Sequence, residues 1–241
     1  MAHVFFETGG YGEGGAFLDR WLPGYERAAS LYGHLWWHRA LFGLASRDYD
    51  AAMAIYEERL RPGINEGAPI IVMADCAALL WRCDVYGETG RPLPWEEVSA
   101  SAARSFPHAG VTFADVHAAM AFARAGDDEQ LDRLAGEVRE RAASGKLPAG
   151  DVAPALVEAL AMFARGQFGA AADLLDPFVP QIVRVGGSNA QRQVFEDTLL
   201  QAYLRAARFE KAEALLRERL QRRPSPRDEQ WLQAAGGAAT N

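Results

Sequence analysis

The stretch Gly33-His34-Leu35-Trp36-Trp37-His38-Arg39-Ala40-Leu41-Phe42, running into Gly43-Leu44-Ala45-Ser46-Arg47-Asp48-Tyr49-Asp50-Ala51-Ala52, reads as two helices joined by a short turn. Only Arg39 is charged between residues 34 and 46. A helix that is apolar nearly all round belongs in an interior. The second helix opens on a Tyr-x-x-Ala signature. In such a signature the aromatic plugs the gap between antiparallel helices, and the small residue lets their backbones approach.

The same marker recurs as Gly9-Gly10-Tyr11…Gly14, Gly166-Gln167-Phe168…Ala171 and Ala207-Arg208-Phe209…Ala212, with a weaker copy at Gly126-Asp127-Asp128…Leu131. Anchors at 11, 49, 128, 168 and 209 are separated by 38, 79, 40 and 41 residues. The long interval is two ordinary steps, which places a degenerate copy at Tyr86-Gly87-Glu88-Thr89-Gly90. Repetition at this period is the mark of stacked supersecondary units. The expected fold is all-α, a right-handed superhelix of tetratricopeptide-like helical hairpins (an α-α solenoid). About six units fill a single domain over residues 1–235, and residues 236–241 form a frayed tail.

Local signals agree with this frame. Helical spacing predicts helices over about 67–85, where Ile70-Ile71-Val72-Met73 continues into a helix pattern rather than a strand, and over about 112–125. Asp151 and Ser188 stand where N-caps are wanted. Pro177 and Pro180 predict a break in the helix that holds them. Cys76 and Cys83, seven residues apart on one helix, lie roughly 10 Å apart along its axis, beyond disulfide reach, and read as reduced core thiols.

Across 241 residues the net charge is −7 and the isoelectric point about 5.3, which argues against nucleic acid or an anionic membrane as partner. The amino terminus lacks a basic lead-in with a long apolar core, and no stretch approaches ~18 uninterrupted apolar residues, so a cytoplasmic location is expected. The basic residues of 205–227 alternate with leucines and read as the solvated face of a terminal helix.

His34 and His38 stand at i and i+4, which turns both imidazoles to one helix face. Two histidines are not a site, and Leu35 occupies the place of the glutamate in a His-Glu-x-x-His helix. A third ligand has to come from a neighbouring helix, with Asp75, His117 or His3 the candidates. No metal and no cofactor is assigned on this basis. Gly186-Gly187-Ser188 reads as a flexible lead-in with an ordinary N-cap, and Arg192 and Glu196 can pair one turn apart.

The chain resembles the tetratricopeptide repeat protein 38 family. The resemblance rests on Ala2-His3-Val4 with Gly9, on His34-Leu35-Trp36-Trp37-His38-x-Ala40-Leu41 with Tyr49-Asp50-x-Ala52, and on Asp75-x-Ala77-x-Leu79-Leu80-Trp81-Arg82. It continues through Asp115-Val116-His117-Ala118-Ala119-Met120-Ala121-Phe122 and Gly186-Gly187-Ser188-Asn189-Ala190-Gln191-Arg192-Gln193-Val194-Phe195-Glu196. It implies an all-helical repeat superhelix and no defined biochemical role. The chain begins where family members are about half finished, and Gln193 stands where an acid is expected.

His3, His34, Trp37, His38, Asp75, Arg82, His117, Gln191 and Arg192 are therefore the candidate ligand-binding residues, set on helices otherwise apolar. One account of the polar ones is hydrogen bonding between helices that fixes their register. The other is a shared polar pocket on the concave face. The first functional reading is a helical repeat scaffold that binds a peptide, a protein partner or a small ligand in its concave groove. The alternative is an enzyme, metal-dependent in one version, with a pocket bounded by His34, His38, Asp75, His117 and Arg192 and a histidine as general base. Apolar residues around Val4, Phe5, Phe6, Phe17 and Trp21 give a further expectation, a homodimer that buries them.

Overall fold

The structure, a computed structural model, describes residues 1–87, 90 and 92–239. Among these the chain is all-α, with no strand. The helices are α1 (Ala2–Thr8), α2 (Tyr11–Trp21), α3 (Tyr32–Ala45), α4 (Tyr49–Ile55), α5 (Pro69–Tyr86), α6 (Trp95–Ser105) and α7 (Thr112–Ala125). They continue with α8 (Asp128–Ala143), α9 (Val152–Ala164), α10 (Phe168–Leu175), α11 (Asn189–Arg205), α12 (Phe209–Arg222) and α13 (Pro226–Ala239). No helix among the described residues is long and apolar enough to cross a membrane.

The marker aromatics fall where the turn physics wants them. Tyr11, Tyr49, Phe168 and Phe209 each open the second helix of a hairpin, as Asp128 does in the weaker copy. Two residues ahead of each stands a left-handed residue: Gly9, Arg47, Gly126, Gly166 and Ala207. Positive φ is natural for glycine, but Arg47 and Ala207 hold it against an intrinsic cost of roughly 1–2 kcal/mol each. Gly14 shows why the marker ends on a small residue. A Cβ there would sit 2.7 Å from the Phe42 ring of α3.

The degenerate copy is the exception. Glu88 and Thr89 lie outside the described residues, and the next helix opens only at Trp95. The prolines act as expected: α10 stops at Leu175, and Asp176–Val185 runs on as tight 3-10 turns. At the carboxy terminus α13 continues to Ala239, so residues 236–239 of the tail expected to fray are helical instead. Asp151 precedes α9 without a capping hydrogen bond from its side chain. Ser188, by contrast, forms a full capping box with Gln191 at the start of α11.

Consecutive helices pack as hairpins, and α3, α5, α7 and α9 pack on one another in sequence. Helix α5 is buried without interruption from Val72 to Cys83, including both thiols. Helix α11 then returns onto α5 while also touching α9, α10 and α12. Three hydrogen bonds mark the closure: Trp81 Nε1 to Thr198 at 2.8 Å, Tyr86 Oη to Asp197 at 2.8 Å, and Arg82 Nη2 to the Ala190 carbonyl at 2.6 Å. Of the apolar residues near the amino terminus, Phe6 is buried and Phe5 and Phe17 are partly covered, which leaves Val4 and Trp21 exposed.

A candidate metal centre at three histidines

Helix α1 packs on α3, and this contact brings His3 to His34 and His38. One nitrogen from each of the three imidazoles lies within 4.8 Å of the others. The ring centroids of His3 and His38 are 4.4 Å apart and those of His34 and His38 4.9 Å, each pair nearly perpendicular. Zinc–nitrogen bonds of 2.0–2.1 Å in a tetrahedral set need ligand nitrogens roughly 3.4 Å apart. Closing that difference falls to His3, the exposed member, whose side chain can turn.

The other two are held. His34 Nδ1 donates to Asp75 Oδ2 at 2.8 Å, so that in the neutral ring the lone pair is on Nε2. A carboxylate that fixes tautomer and ring direction in this way is the usual outer support of a metal-bound imidazole. Burial disfavours the charged form of His34, but the hydrogen bond and charge of Asp75 outweigh it and raise its pKa. His34 also stacks on Trp37 at 5.2 Å.

His38 is 1% exposed, and neither ring nitrogen has a hydrogen-bond partner among the described residues. Burial, with His34, His3 and Arg82 adding to it, lowers its pKa to about 2. A buried polar group without a partner is rare in folded proteins and calls for an explanation. A neutral imidazole beside two others is the chemistry of a metal ligand.

The remaining candidates divide. Gln191 Nε2 reaches Asp75 Oδ1 at 3.5 Å, so Asp75 is braced from α11 as well. Arg82 lies behind Trp37, 5.8 Å from its ring, and spends its donors on Ala78 and Ala190 carbonyls. It serves the α5–α11 contact rather than a ligand. His117 does not join the cluster. Its Nδ1 donates to the Phe113 carbonyl at 2.6 Å, and its ring packs against Phe113 and Phe195. Arg192 points away, to the Gly187 carbonyl and to Asn189, and does not pair with Glu196. The five-residue pocket expected from the sequence thus becomes His34, His38 and Asp75 with His3, without His117 or Arg192.

A second polar assembly was not foreseen. Arg219 of α12, read as part of a solvated face, is 4% exposed. It meets Asp197 at 2.8 Å and Asp228 at 2.8 Å, and Asp197 also accepts from Tyr86. The two arginines beside Asp197, Arg219 and Arg82, overcome its burial and hold its carboxyl below the ordinary range. Arg227 donates to the Leu44 carbonyl and lies 3.6 Å over the Tyr86 ring. The partners come from helices far apart in sequence, so no local spacing announced them.

No protein-family model matches the chain, and no solved structure matches it.

Proposed function

We propose that the protein is a helical repeat protein that binds one divalent transition metal, zinc by its ligand chemistry, through His3, His34 and His38. The convergence of three imidazoles, one of them buried with no other partner, carries this reading. Imidazole sets suit zinc, copper, iron and nickel, and three protein ligands with one on the surface leave a fourth position for water or substrate. That is the arrangement of catalytic rather than structural zinc. A metal there supplies Lewis acidity and a more acidic bound water, so the reading favours a metal-dependent enzyme over a passive scaffold. The tetratricopeptide-like superhelix and the resemblance to the tetratricopeptide repeat protein 38 family belong to the same proposal. Their support is the left-handed residue repeated two positions ahead of five second helices.

Elemental analysis of protein purified without chelator or metal-affinity steps, followed by zinc titration, tests the proposal. One equivalent is expected, and Asp75→Asn should weaken zinc binding about 10–100-fold while leaving the stoichiometry at one. Less than about 0.1 equivalent of any transition metal, together with no zinc uptake, refutes it.

A further inference from the structure

Helix α1 offers α3 the same spacing that α3 offers it. His34 and His38 stand four residues apart on α3, and on α1 the residue four after His3 is Glu7. Residues so spaced share a helix face, with Cβ atoms about 5–6 Å apart. Long side chains on a helix lean back over the preceding turn, which carries the Glu7 carboxylate toward the His3 ring. Its negative charge acts on that imidazole.

Glu7 has no structural task. It is exposed, and among the described residues its carboxylate makes no hydrogen bond and no ion pair. The other acids around it are engaged, Glu196 with Arg219 and Arg222, and Asp75 with His34 and Gln191. No oxygen of Glu7 lies within 4.8 Å of all three clustered imidazole nitrogens. A carboxylate just outside a ligand set is placed to meet bound water rather than the metal.

Glu7 also borders empty space. It lines a cavity of about 350 Å³ between α1, the 3-10 segment Asp176–Val185, α11 and α12, together with Asn189 and Gln193. That volume falls within the range of small-molecule sites, ~300–1,000 Å³. One unengaged acid thus stands a helical turn from His3 and on the wall of a chamber that can hold a substrate.

We propose, on the reading that the three imidazoles hold a metal, that Glu7 is the general base of that site and this cavity its substrate chamber. Water in the fourth position passes a proton to a Glu7 oxygen. The water O–H bond breaks, its electron pair stays on the water oxygen, and hydroxide is left as the nucleophile. The reaction class is hydrolysis.

Cobalt(II), whose visible spectrum reports its coordination, tests this on the full chain without a substrate. Metal-bound water ionises within about pH 6–10, and the spectrum follows it. The parent protein should bind one equivalent and show one transition. Glu7→Gln should still bind one equivalent, with affinity within about tenfold, since an outer carboxylate is not a ligand. Its midpoint should fall by about one to two pH units, because a carboxylate roughly 6 Å from the water opposes formation of hydroxide. Glu13→Gln, an exposed change on α2 away from the cavity wall, should leave the midpoint where it is. An unmoved midpoint in Glu7→Gln with cobalt bound overturns the general base and leaves the metal reading standing. The same holds for a parent spectrum that does not change with pH, or for an affinity loss beyond about 100-fold, which would make Glu7 a ligand. No cobalt binding by the parent protein overturns both.

Discussion

Replacing His38 with leucine should make the metal-free protein more stable and the zinc-loaded protein less so. His38 is 1% exposed, packed edge-on to Trp37 at 5.1 Å, and its two ring nitrogens have no partner among the described residues. An unsatisfied buried polar group costs about 1–3 kcal/mol, and an apolar side chain of similar size removes that cost. For a chain of this length each kcal/mol corresponds to about 2–4 °C in Tm. Zinc at a hundredfold excess over its Kd stabilises the parent protein by about 2.7 kcal/mol. With two imidazoles left, the variant should lose most of that gain. Thermal unfolding followed by circular dichroism, once in chelator and once in zinc, gives four Tm values. The order expected is variant above parent in chelator and parent above variant in zinc. A variant that melts below the parent in chelator would show that the imidazole is a satisfied core residue. An equal zinc shift in both proteins would show that His38 is not a ligand.

Two further tests concern the remaining buried polar groups. Asp197→Asn keeps the shape of the side chain but leaves Arg82 and Arg219 without their shared anion, and should cost about 3–5 kcal/mol in urea unfolding. Asp19→Asn, which breaks an exposed pair with Arg39, should cost under about 1 kcal/mol, and equal losses for the two would refute the burial argument. His117 and Asp115 set opposing pH dependences. Burial lowers His117 from 6.5 to about 4, so between those values the unfolded chain binds more protons and stability rises with pH, by about 3 kcal/mol in all. Burial raises Asp115 from 3.8 to about 6, so the folded chain binds more protons there and stability falls as pH rises through that window. His38, lowered by burial from 6.5 to about 2, adds to the rise. The parent should therefore gain stability from pH 4 to 6, less steeply in His117→Gln and more steeply in Asp115→Asn. Parallel profiles for the two variants would refute the assignment.

Local patterns carried most of the architecture because hairpin turns are local events. The helix expected over about 112–125 runs from Thr112 to Ala125, and each strong marker aromatic opens a helix. Between Tyr86 and Trp95 the degenerate marker includes residues outside the described ones, and the next helix opens at Trp95. Charge was harder to place than apolarity. Arg219 sits among leucines at helical spacing just as a solvated arginine would, and Glu196, Asp197 and Asp228, on α11 and α13, make its burial tolerable. His3 shows the same limit. Its chemistry was visible, but the α1–α3 contact that turns it toward His34 and His38 depends on packing, not on spacing.

The two accounts offered for the polar residues of inner helices apply to different residues, and the criterion that separates them is whether each polar atom has a protein partner. Arg82, Asp197, Gln191 and Arg219 are joined across α5, α11, α12 and α13, where an unpaired member would be strongly destabilising. Their role is to fix how α11 returns onto α5. His38 lies only a helix away from that network and shares none of it. If hydrogen bonding within the protein were its purpose, Nδ1 or Nε2 should point at an acceptor, as His117 Nδ1 points at the Phe113 carbonyl one turn back in α7. Instead His38 faces two other imidazoles, one steadied by Asp75 and one free to turn at the surface. Stability alone would replace His38 with an apolar residue, and the metal ion proposed for the three imidazoles is the partner that would account for it.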